Sequence, residues 1–226
     1  MGKYYSVAID GPAGAGKSTI AKRLAAELGF HYVDTGAIYR TLGYFFSLIG
    51  IGPKDIDGIT KYIDECVIEL EWDDDGSQHM FLNETDVSED IRTPEISKIA
   101  SAISAHKLVR DTLLDMQRDV AKKHNVIMDG RDIGSVVLPK ADVKFFLTAS
   151  PEVRAQRRFE ELKAKGSKDT YEKVLKEVNE RDHADMTRSV APLKQTKSHI
   201  LVDTSDMTID QVVAHMGQIV REKCRL

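Results

Sequence analysis

The sequence predicts an α/β fold in which helices flank a parallel sheet of five strands. Short apolar runs, which suit buried strands, alternate with longer stretches of helical periodicity. This alternation is typical of parallel strands joined by right-handed crossovers. Hydrophobic residues make up 42% and charged residues 30% of the 226 residues. Such a composition is typical of one globular domain with a substantial core.

The N-terminal part follows the pattern strand, helix, strand, helix. The apolar run 4–10 predicts a buried strand, and apolar residues at helical spacing over 18–28 predict the helix after it. Gly29 is expected to cap that helix in the left-handed conformation. A short strand over 30–33 and a helix over about 36–48 complete the pattern.

Residues 64–87 interrupt the alternation and predict a small antiparallel insertion. Two apolar stretches flank the turn-rich sequence DDDGS, which indicates a β-hairpin with a brief third strand near 86–87. We therefore expect a core domain formed by 1–63 and 88–226, with a β-hairpin insertion at 64–87.

The C-terminal half returns to alternating helices and strands. The dipeptides Thr93-Pro94 and Ser150-Pro151 each place a capping residue before proline at the first helical position. Thr208 and Gln211 form a capping-box pattern for the terminal helix. Predicted strands lie at 125–128, 143–147 and 199–202, and predicted helices begin at Pro94 and His106 and cover 151–165 and 171–188.

Composition and charge exclude several classes of function. The net charge of −4 argues against an extended nucleic-acid interface, yet a few local arginines could still hold a small anion. No apolar run is long enough to cross a membrane, and no signal peptide precedes the first strand. We therefore expect a cytoplasmic protein that binds neither nucleic acid nor membrane. No segment resembles an exposed apolar interface, so we expect a monomer.

The cysteines and histidines do not indicate a metal or redox site. Cys66 and Cys224 are far apart and lack CxxC spacing, so two reduced thiols are expected. The seven histidines show no metal-ligand spacing, and none is assigned a role; they are His31, His79, His106, His124, His183, His199 and His215.

A phosphate-binding loop follows the first strand. GPAGAGKS at 11–18 fits GxxxxGK[ST] between a strand and a helix. Its glycines allow positive φ angles that point backbone N–H groups at phosphate oxygens, and the helix adds its positive dipole end. The motif predicts a nucleoside triphosphate bound through its phosphates, with Mg²⁺ held by the Ser18 hydroxyl and Lys17 bridging the β- and γ-phosphates. The predicted nucleotide contacts are Gly11, Gly14, Ala15, Gly16, Lys17, Ser18 and Thr19.

Charged residues follow two other strands, at the edge where α/β proteins bind ligands. The sequence DTGAIYR places Thr35 and Arg40 after the second strand, and DGRD places Asp129, Arg131 and Asp132 after the run VIM. Asp129 stands where an acid near Mg²⁺ is expected. Arg40 could equally be a surface residue of a helix, and Arg131 with Asp132 a surface ion pair.

Two later helices each carry basic residues on one face. Arg154, Arg157 and Arg158 have i, i+3, i+4 spacing and are expected on a mobile lid that stabilises the migrating phosphoryl group. Arg181, Asp185 and Arg188 form a second set. Both sets have a purely structural alternative. Glu160 and Glu161 could neutralise the first set, and the second set could form exposed ion pairs with Glu177 and Asp182.

Together these segments resemble the bacterial cytidylate kinase family of nucleoside monophosphate kinases. The matching stretches cover essentially the whole chain in the expected order, and the insertion is the most discriminating, because general P-loop kinases lack it. The resemblance implies a P-loop NTPase-type sheet, an insertion within the domain that binds the monophosphate, and a helical lid at about 154–168. The stretches are IDGPAGAGKST, YVDTGAIYR, DVSEDIRT, MDGRDIGSVVLP, the RxxRR helix and ERDHADMTRSVAPL.

The resemblance implies ATP-dependent phosphorylation of CMP and dCMP, with roles assigned by position. Thr35 stands where some members carry Ser, which keeps the hydroxyl, and Ser18 stands where others carry Gly. Lys17, Arg131, Arg158 and Arg188 would act on the migrating group, and Arg154 and Arg157 would join Arg158 on the ATP side. The acceptor phosphate would be held by Arg40, Arg131 and Arg188, and the ribose by Asp185 and Arg181. The base would be bound by Ser101, Arg110 and Asp132, with Thr35 and Asp129 beside them.

The base contacts suit cytosine. A carboxylate at Asp132 would accept from the N4 amino group, and a guanidinium at Arg110 would donate to N3 and O2. Uracil reverses the polarity at positions 3 and 4 and would leave buried groups unpaired. The alternatives are a UMP or shikimate-type kinase, a GTP-binding switch, which lacks support because no [NT]KxD motif occurs, and a nucleic-acid ATPase.

Overall fold

Five parallel strands form the centre of the molecule. The computed structural model describes residues 3–226. Within them the sheet has the order β2-β6-β1-β7-β8, and all neighbouring strands run parallel. This confirms the predicted parallel five-stranded sheet. The strands are β1 (Ser6–Asp10), β2 (His31–Asp34), β6 (Val126–Gly130), β7 (Val143–Thr148) and β8 (Ile200–Asp203).

The described residues also form eight α-helices. Each predicted cap is present: Gly29 is left-handed after α1, Thr93 and Ser150 cap the helices that begin with proline, and Thr208 with Gln211 forms a capping box. The helices are α1 (Lys17–Leu28), α2 (Thr35–Leu48), α3 (Ile56–Tyr62), α4 (Pro94–Ile103), α5 (Lys107–Lys123), α6 (Pro151–Ala164), α7 (Tyr171–Thr187) and α8 (Ile209–Cys224).

Alternation along β1 divides the core between the two faces of the sheet. Val7 and Ile9 pack with α1 and α8, whereas Ala8 joins a second cluster that includes Val33 and Met128 and is covered by α5. Successive residues along a strand point to opposite faces, so a strand buried on both faces is apolar throughout.

The register brings the functional strand ends together. Asp10 of β1 lies opposite Gly130 of β6, and Asp34 of β2 lies opposite Asp129 of the same strand. Because parallel strands end at one edge, the loops that follow β1, β2 and β6 meet there.

The insertion forms a separate three-stranded antiparallel sheet in the order β3-β4-β5, with β3 (Ile68–Trp72), β4 (Gln78–Leu82) and β5 (Thr85–Asp86). The Trp72 indole N–H donates to the Tyr32 carbonyl at 2.8 Å. The Asp34 N–H donates to the Gln78 amide oxygen at 2.7 Å. These bonds tie the hairpin to the end of β2, next to the predicted site. The division of the chain at 64–87 stays a prediction.

The short elements that were not predicted include α3 and a π-helical turn. Asp55 caps helix α3, and its carboxylate accepts from the Gly58 N–H at 2.9 Å. With only seven residues, this helix shows little periodicity. Residues Ile133–Val137 form a π-helical turn, although their apolar sequence IGSVV resembles a strand. The buried Asp10 carboxylate binds the first N–H groups of this turn and favours it over an extended chain.

In the described part of the chain, no helix combines the length and the apolar character needed to span a bilayer.

We predict that acid destabilises the junction between insertion and core through His31. The His31 ring lies 4.3 Å from the ring of Trp72, the only tryptophan. Burial, and then the neighbouring His124, lower the pKa of His31 below 6.5. Below pH 6.5, His31 therefore binds a proton more readily in the unfolded chain than in the folded protein. The free energy of unfolding falls as a result.

Urea unfolding followed by Trp72 fluorescence at pH 7.5 and 5.5 measures this effect. His31→Gln should lose less stability on acidification than the unaltered protein, whereas His215→Gln, an exposed position on α8, should behave like the unaltered protein. An equal loss in His31→Gln would contradict the prediction.

Candidate functional site

The loop between β1 and α1 has the conformation of a phosphate cradle. Gly11 has φ 149°, and a Cβ there would lie 2.0 Å from the Leu147 carbonyl oxygen. Gly16 is left-handed, with φ 84°, at the N-cap of α1, and no side chain caps the helix. The N–H groups of the first turn of α1 are therefore left for an anion, which the helix dipole also favours.

Lys17 is buried beside this loop. Its ammonium group donates to the Pro12 carbonyl at 2.8 Å, and the residue is 5% exposed. Burial, and then the charge of Arg131, lower the pKa of Lys17 to about 7. A phosphate group in the cradle would relieve both effects, because its negative charge stabilises the protonated amine.

Asp129, at the end of β6, faces the same loop. Its carboxylate accepts from the Ser18 hydroxyl at 3.0 Å and from the Tyr32 hydroxyl at 2.8 Å. Burial, and then the nearby Asp34, raise the pKa of Asp129 to about 6. Because its charged form is destabilised, the Asp129 carboxylate would bind a cation favourably.

The oxygen donors of Ser18 and Asp129 fit Mg²⁺. In the described residues, no group of three or more His, Cys, Asp or Glu forms a protein-only metal site. Mg²⁺ does not require one, because it prefers hard oxygen ligands and commonly binds one or two protein groups, substrate phosphates and waters.

Asp34 and Thr35 organise the end of β2. The Asp34 carboxylate accepts from the Ala37 N–H at 3.0 Å, which caps α2, and pairs with Arg40 at 2.8 Å. The Thr35 hydroxyl donates to the Asp129 carbonyl at 2.7 Å and is buried. Arg40 is therefore held at the sheet edge, and the Thr35 proton is directed to the backbone of β6.

A second acidic residue positions Arg131. The Arg131 Nε–H donates to the Asp185 carboxylate at 2.7 Å, which joins the loop after β6 to α7. Loss of hydration, and then the charge of Arg131, lower the pKa of Arg181 to about 10. In the described residues Arg181 makes no ion pair within 4 Å, and the charge of Asp185 offsets part of the positive charge around it.

Asp132 lies between two arginines. It forms ion pairs with Arg110 and with Arg188, the latter at 3.3 Å. Ser104 completes the group, since its carbonyl accepts from Arg110 at 3.1 Å and its hydroxyl accepts from Arg188 at 3.4 Å. The structure thus brings together the predicted base-binding residues Arg110 and Asp132. The Ser101 carbonyl accepts from the Ser104 hydroxyl at 2.8 Å.

The three arginines of α6 have different surroundings, contrary to the expectation of one shared face. Arg154 is 3% exposed and donates to the Ala13 carbonyl at 3.1 Å and to Asp182 at 2.6 Å. Arg157 donates to the Thr204 carbonyl at 2.8 Å. Arg158 pairs with Glu161 at 3.1 Å and, alone of the three, contributes to the lowered pKa of Arg181. A helix face is wide enough for adjacent turns to meet different neighbours, which spacing alone does not reveal.

The site therefore contains two groups of anion-binding residues at one sheet edge. One comprises the phosphate loop and Lys17; the other is a set of guanidinium groups on α2, α5, α7 and the loop after β6. The sequence prediction missed several partners of these groups, although Asp10 and Asp34 could have been found as acids at strand ends. The missed residues are Asp10, Tyr32, Asp34, Ser104 and Asp182.

Comparison with known proteins identifies the family of this chain. A family model described as cytidylate kinase matches residues 7–222. The chain belongs to the cytidylate kinase family. A cytidylate kinase of Carboxydothermus hydrogenoformans is 48% identical, with 96% of this chain and 97% of the relative covered. One from Fervidobacterium nodosum is 44% identical, with 97% and 98% covered.

Solved structures support the fold of this cytidylate kinase family member. An uncharacterized protein from Eubacterium ventriosum superposes with a TM-score of 0.51 at 12% identity, covering 96% of this chain and 98% of that chain. At such low identity the likeness concerns the fold alone. The family membership rests on the sequence relatives.

We predict that Asp182 stabilises the phosphate loop through Arg154. Removing one partner of a buried ion pair leaves an uncompensated charge, which costs about 3–5 kcal/mol. Asp182→Ala should therefore lower the free energy of unfolding by roughly that amount, measured by urea denaturation. Asp111→Ala, which breaks the exposed pair with Lys107, is the control and should change stability little. Equal effects of the two substitutions would contradict the prediction.

Proposed function

We propose that this protein transfers the γ-phosphoryl group of ATP to CMP, and also to dCMP. The observation that carries the proposal is that the Asp132–Arg110–Arg188 group and the phosphate loop share one edge of the sheet. A site with two anion-binding groups side by side suits a reaction between two phosphorylated ligands. Membership of the cytidylate kinase family supports the same assignment.

On the donor side, the N–H groups of the loop 11–16 and the Lys17 ammonium would hold the phosphates of ATP. Ser18 and Asp129 would hold Mg²⁺, which when bound neutralises charge on the phosphates. Arg158 would be the α6 arginine that reaches the migrating group, since Arg154 and Arg157 bind the protein backbone. The contact of Thr19 with a phosphate, and the lid at about 154–168, also remain part of the proposal.

On the acceptor side, Arg40, Arg131 and Arg188 would surround the phosphate of the monophosphate. Each lies beside a carboxylate at the sheet edge and keeps N–H groups for a ligand. Asp185 and Arg181 would contact the ribose. In the part of the chain that the structure describes, Arg181 has no acidic partner within 4 Å, so a ligand is the partner that its position offers.

Asp132, Arg110 and Ser101 would recognise the base. A carboxylate accepts from the cytosine amino group, and a guanidinium donates to the ring acceptors. The Arg110 guanidinium lies 5.5 Å from the centre of the Tyr39 ring, which holds it in a defined place. Uracil would set its O4 against the Asp132 carboxylate, and that repulsion disfavours UMP.

The reaction needs no general base. An oxygen of the acceptor phosphate is already anionic and forms the new bond to the γ-phosphorus, while the bond from that phosphorus to the β,γ-bridging oxygen breaks. ADP and CDP are the products. Lys17 and the arginines stabilise the spread negative charge, and their fixed geometry aligns the two ligands. Closure over the site would keep out the water that would otherwise hydrolyse ATP.

The proposal also covers the state and place of the protein. We propose a monomer that acts in the cytoplasm. Cys66 and Cys224 are both free thiols, and burial raises the pKa of Cys66 to about 12, which makes it unreactive near neutral pH.

A panel of acceptors tests the proposed reaction. We expect ATP with Mg²⁺ to release ADP rapidly with CMP or dCMP and slowly with UMP, AMP or shikimate, as measured by coupled ADP detection. Lys17→Ala should lose at least about 10²-fold in turnover with CMP, the effect of removing one group that stabilises the transition state. Fast turnover with UMP or shikimate, or equal use of GTP, would favour the corresponding alternative.

We further predict that Asp132 decides between CMP and UMP. Asp132→Asn keeps the shape of the side chain but places an amide where uracil offers an oxygen. The ratio of kcat/KM for CMP over UMP should fall by about tenfold or more. Asp129→Asn is the matched control, because this buried carboxylate lies on the donor side; it should slow both acceptors without changing their ratio. A ratio that Asp132→Asn left unchanged would overturn the base assignment.

A further inference from the structure

A buried carboxylate outside the proposed contacts joins the two halves of the site. Asp10 ends β1, and its side chain is fully buried. It accepts from the Ile133 N–H at 2.6 Å, from the Gly134 N–H at 2.8 Å and from His199 Nε2 at 3.0 Å. A buried carboxylate is costly unless several donors satisfy it, so the arrangement requires all three partners.

The hydrogen bonds of His199 fix its tautomer. Its Nδ1 accepts from the Thr196 N–H at 3.0 Å, and a backbone amide can only donate. The proton of the neutral ring is therefore on Nε2, which donates to Asp10. The side chain of His199 is fully buried, and its ring meets Phe146 edge-on at 6.1 Å. His199 is thus a fixed donor to Asp10.

Asp10 lies in the chain directly before the phosphate loop. The next residue, Gly11, begins the phosphate loop, whereas Ile133 and Gly134 directly follow Arg131 and Asp132 on the acceptor side. A single carboxylate therefore links the start of the donor loop to the end of the acceptor loop. Gly134 and His199 pack closely, since a Cβ on Gly134 would lie 2.6 Å from His199 Nε2.

We propose that His199 is a positioning residue that acts through Asp10 to set the acceptor loop 130–134 against the phosphate loop. This role rests on the proposed kinase function. Without the Nε2 donor, Asp10 has one unsatisfied lone pair and the turn at 133–137 can shift. Arg131 and Asp132 would then be displaced while the phosphate loop, held by its own backbone, still binds ATP. Misplacement of reacting groups by about 1 Å costs about 10²-fold in rate.

Two substitutions at one position separate this role from simple stability. The amide nitrogen of His199→Gln reaches the place of Nε2 and can still donate to Asp10, whereas the shorter side chain of His199→Asn cannot. We expect His199→Asn to lose about tenfold or more in kcat with CMP and to discriminate less between CMP and UMP, with KM for ATP changed less than about twofold. His199→Gln should recover most of both losses.

A stability-matched control is Val213→Ala, which removes buried apolar contacts from α8 without a polar change. Assays are run at a temperature where every variant is folded by circular dichroism. Val213→Ala should keep its kcat and its CMP preference. If His199→Asn is too unstable to assay, Asp10→Asn takes its place, because an amide cannot accept from all three donors. The same loss of kcat and specificity is expected.

Two results would overturn the proposal: equal activity of His199→Asn and the unaltered protein, or equal impairment of His199→Asn and His199→Gln. Failure of the underlying function looks different, because the unaltered protein would then form no CDP at all. In that case calorimetric binding of CMP still compares the two variants. Weaker binding in His199→Asn alone would be expected, and equal binding would reject the positioning role.

Discussion

The whole site depends on the meeting of three strand ends, β1, β2 and β6, at one edge of the sheet. The register sets Asp10 opposite Gly130 and Asp34 opposite Asp129, so the phosphate loop, Arg40 and the DGRD loop start from neighbouring positions. The Asp34 carboxylate pairs with Arg40, and the Asp10 carboxylate accepts from the backbone turn that begins at Ile133. Positive charge that would repel in isolation is thereby stabilised within one small region, where it favours anionic ligands over water. The apolar core beneath serves mainly to keep the strand ends in this register.

This arrangement has an energetic cost that ligands would offset. Burial lowers the pKa of Lys17 to about 7 and raises that of Asp129 to about 6, so both charged forms are less stable here than in water. Bound phosphates and a cation would reverse both effects. Buried polar groups of this kind contribute less to folding than apolar residues of the same volume. They are retained where charge must be fixed in place before a reaction.

The sequence was sufficient to predict the fold, whereas the roles of the site residues stay predictions. The helix ends were predicted correctly from Gly29, Pro94, Pro151 and the Thr208 capping box, because a cap depends only on residues near it in the sequence. The i, i+3, i+4 spacing on α6 did not reveal that Arg154 is buried against Ala13 and Asp182. The π-helical turn at 133–137 and the role of Ser104 depend on partners 84 to 124 residues away in the chain, which no local pattern contains.

The central claim is that two phosphorylated ligands bind face to face, one on Lys17 and the loop 11–16, the other on Arg131 and Arg188. Calorimetric binding of a bisubstrate compound, in which adenosine and cytidine are joined by five phosphates, tests it most directly. If the two groups of residues face each other, this compound should bind at least about 10²-fold more tightly than ATP or CMP alone, because linked ligands raise the effective concentration of each other. An affinity no greater than that of the tighter single ligand would show that the two binding groups do not act as one site.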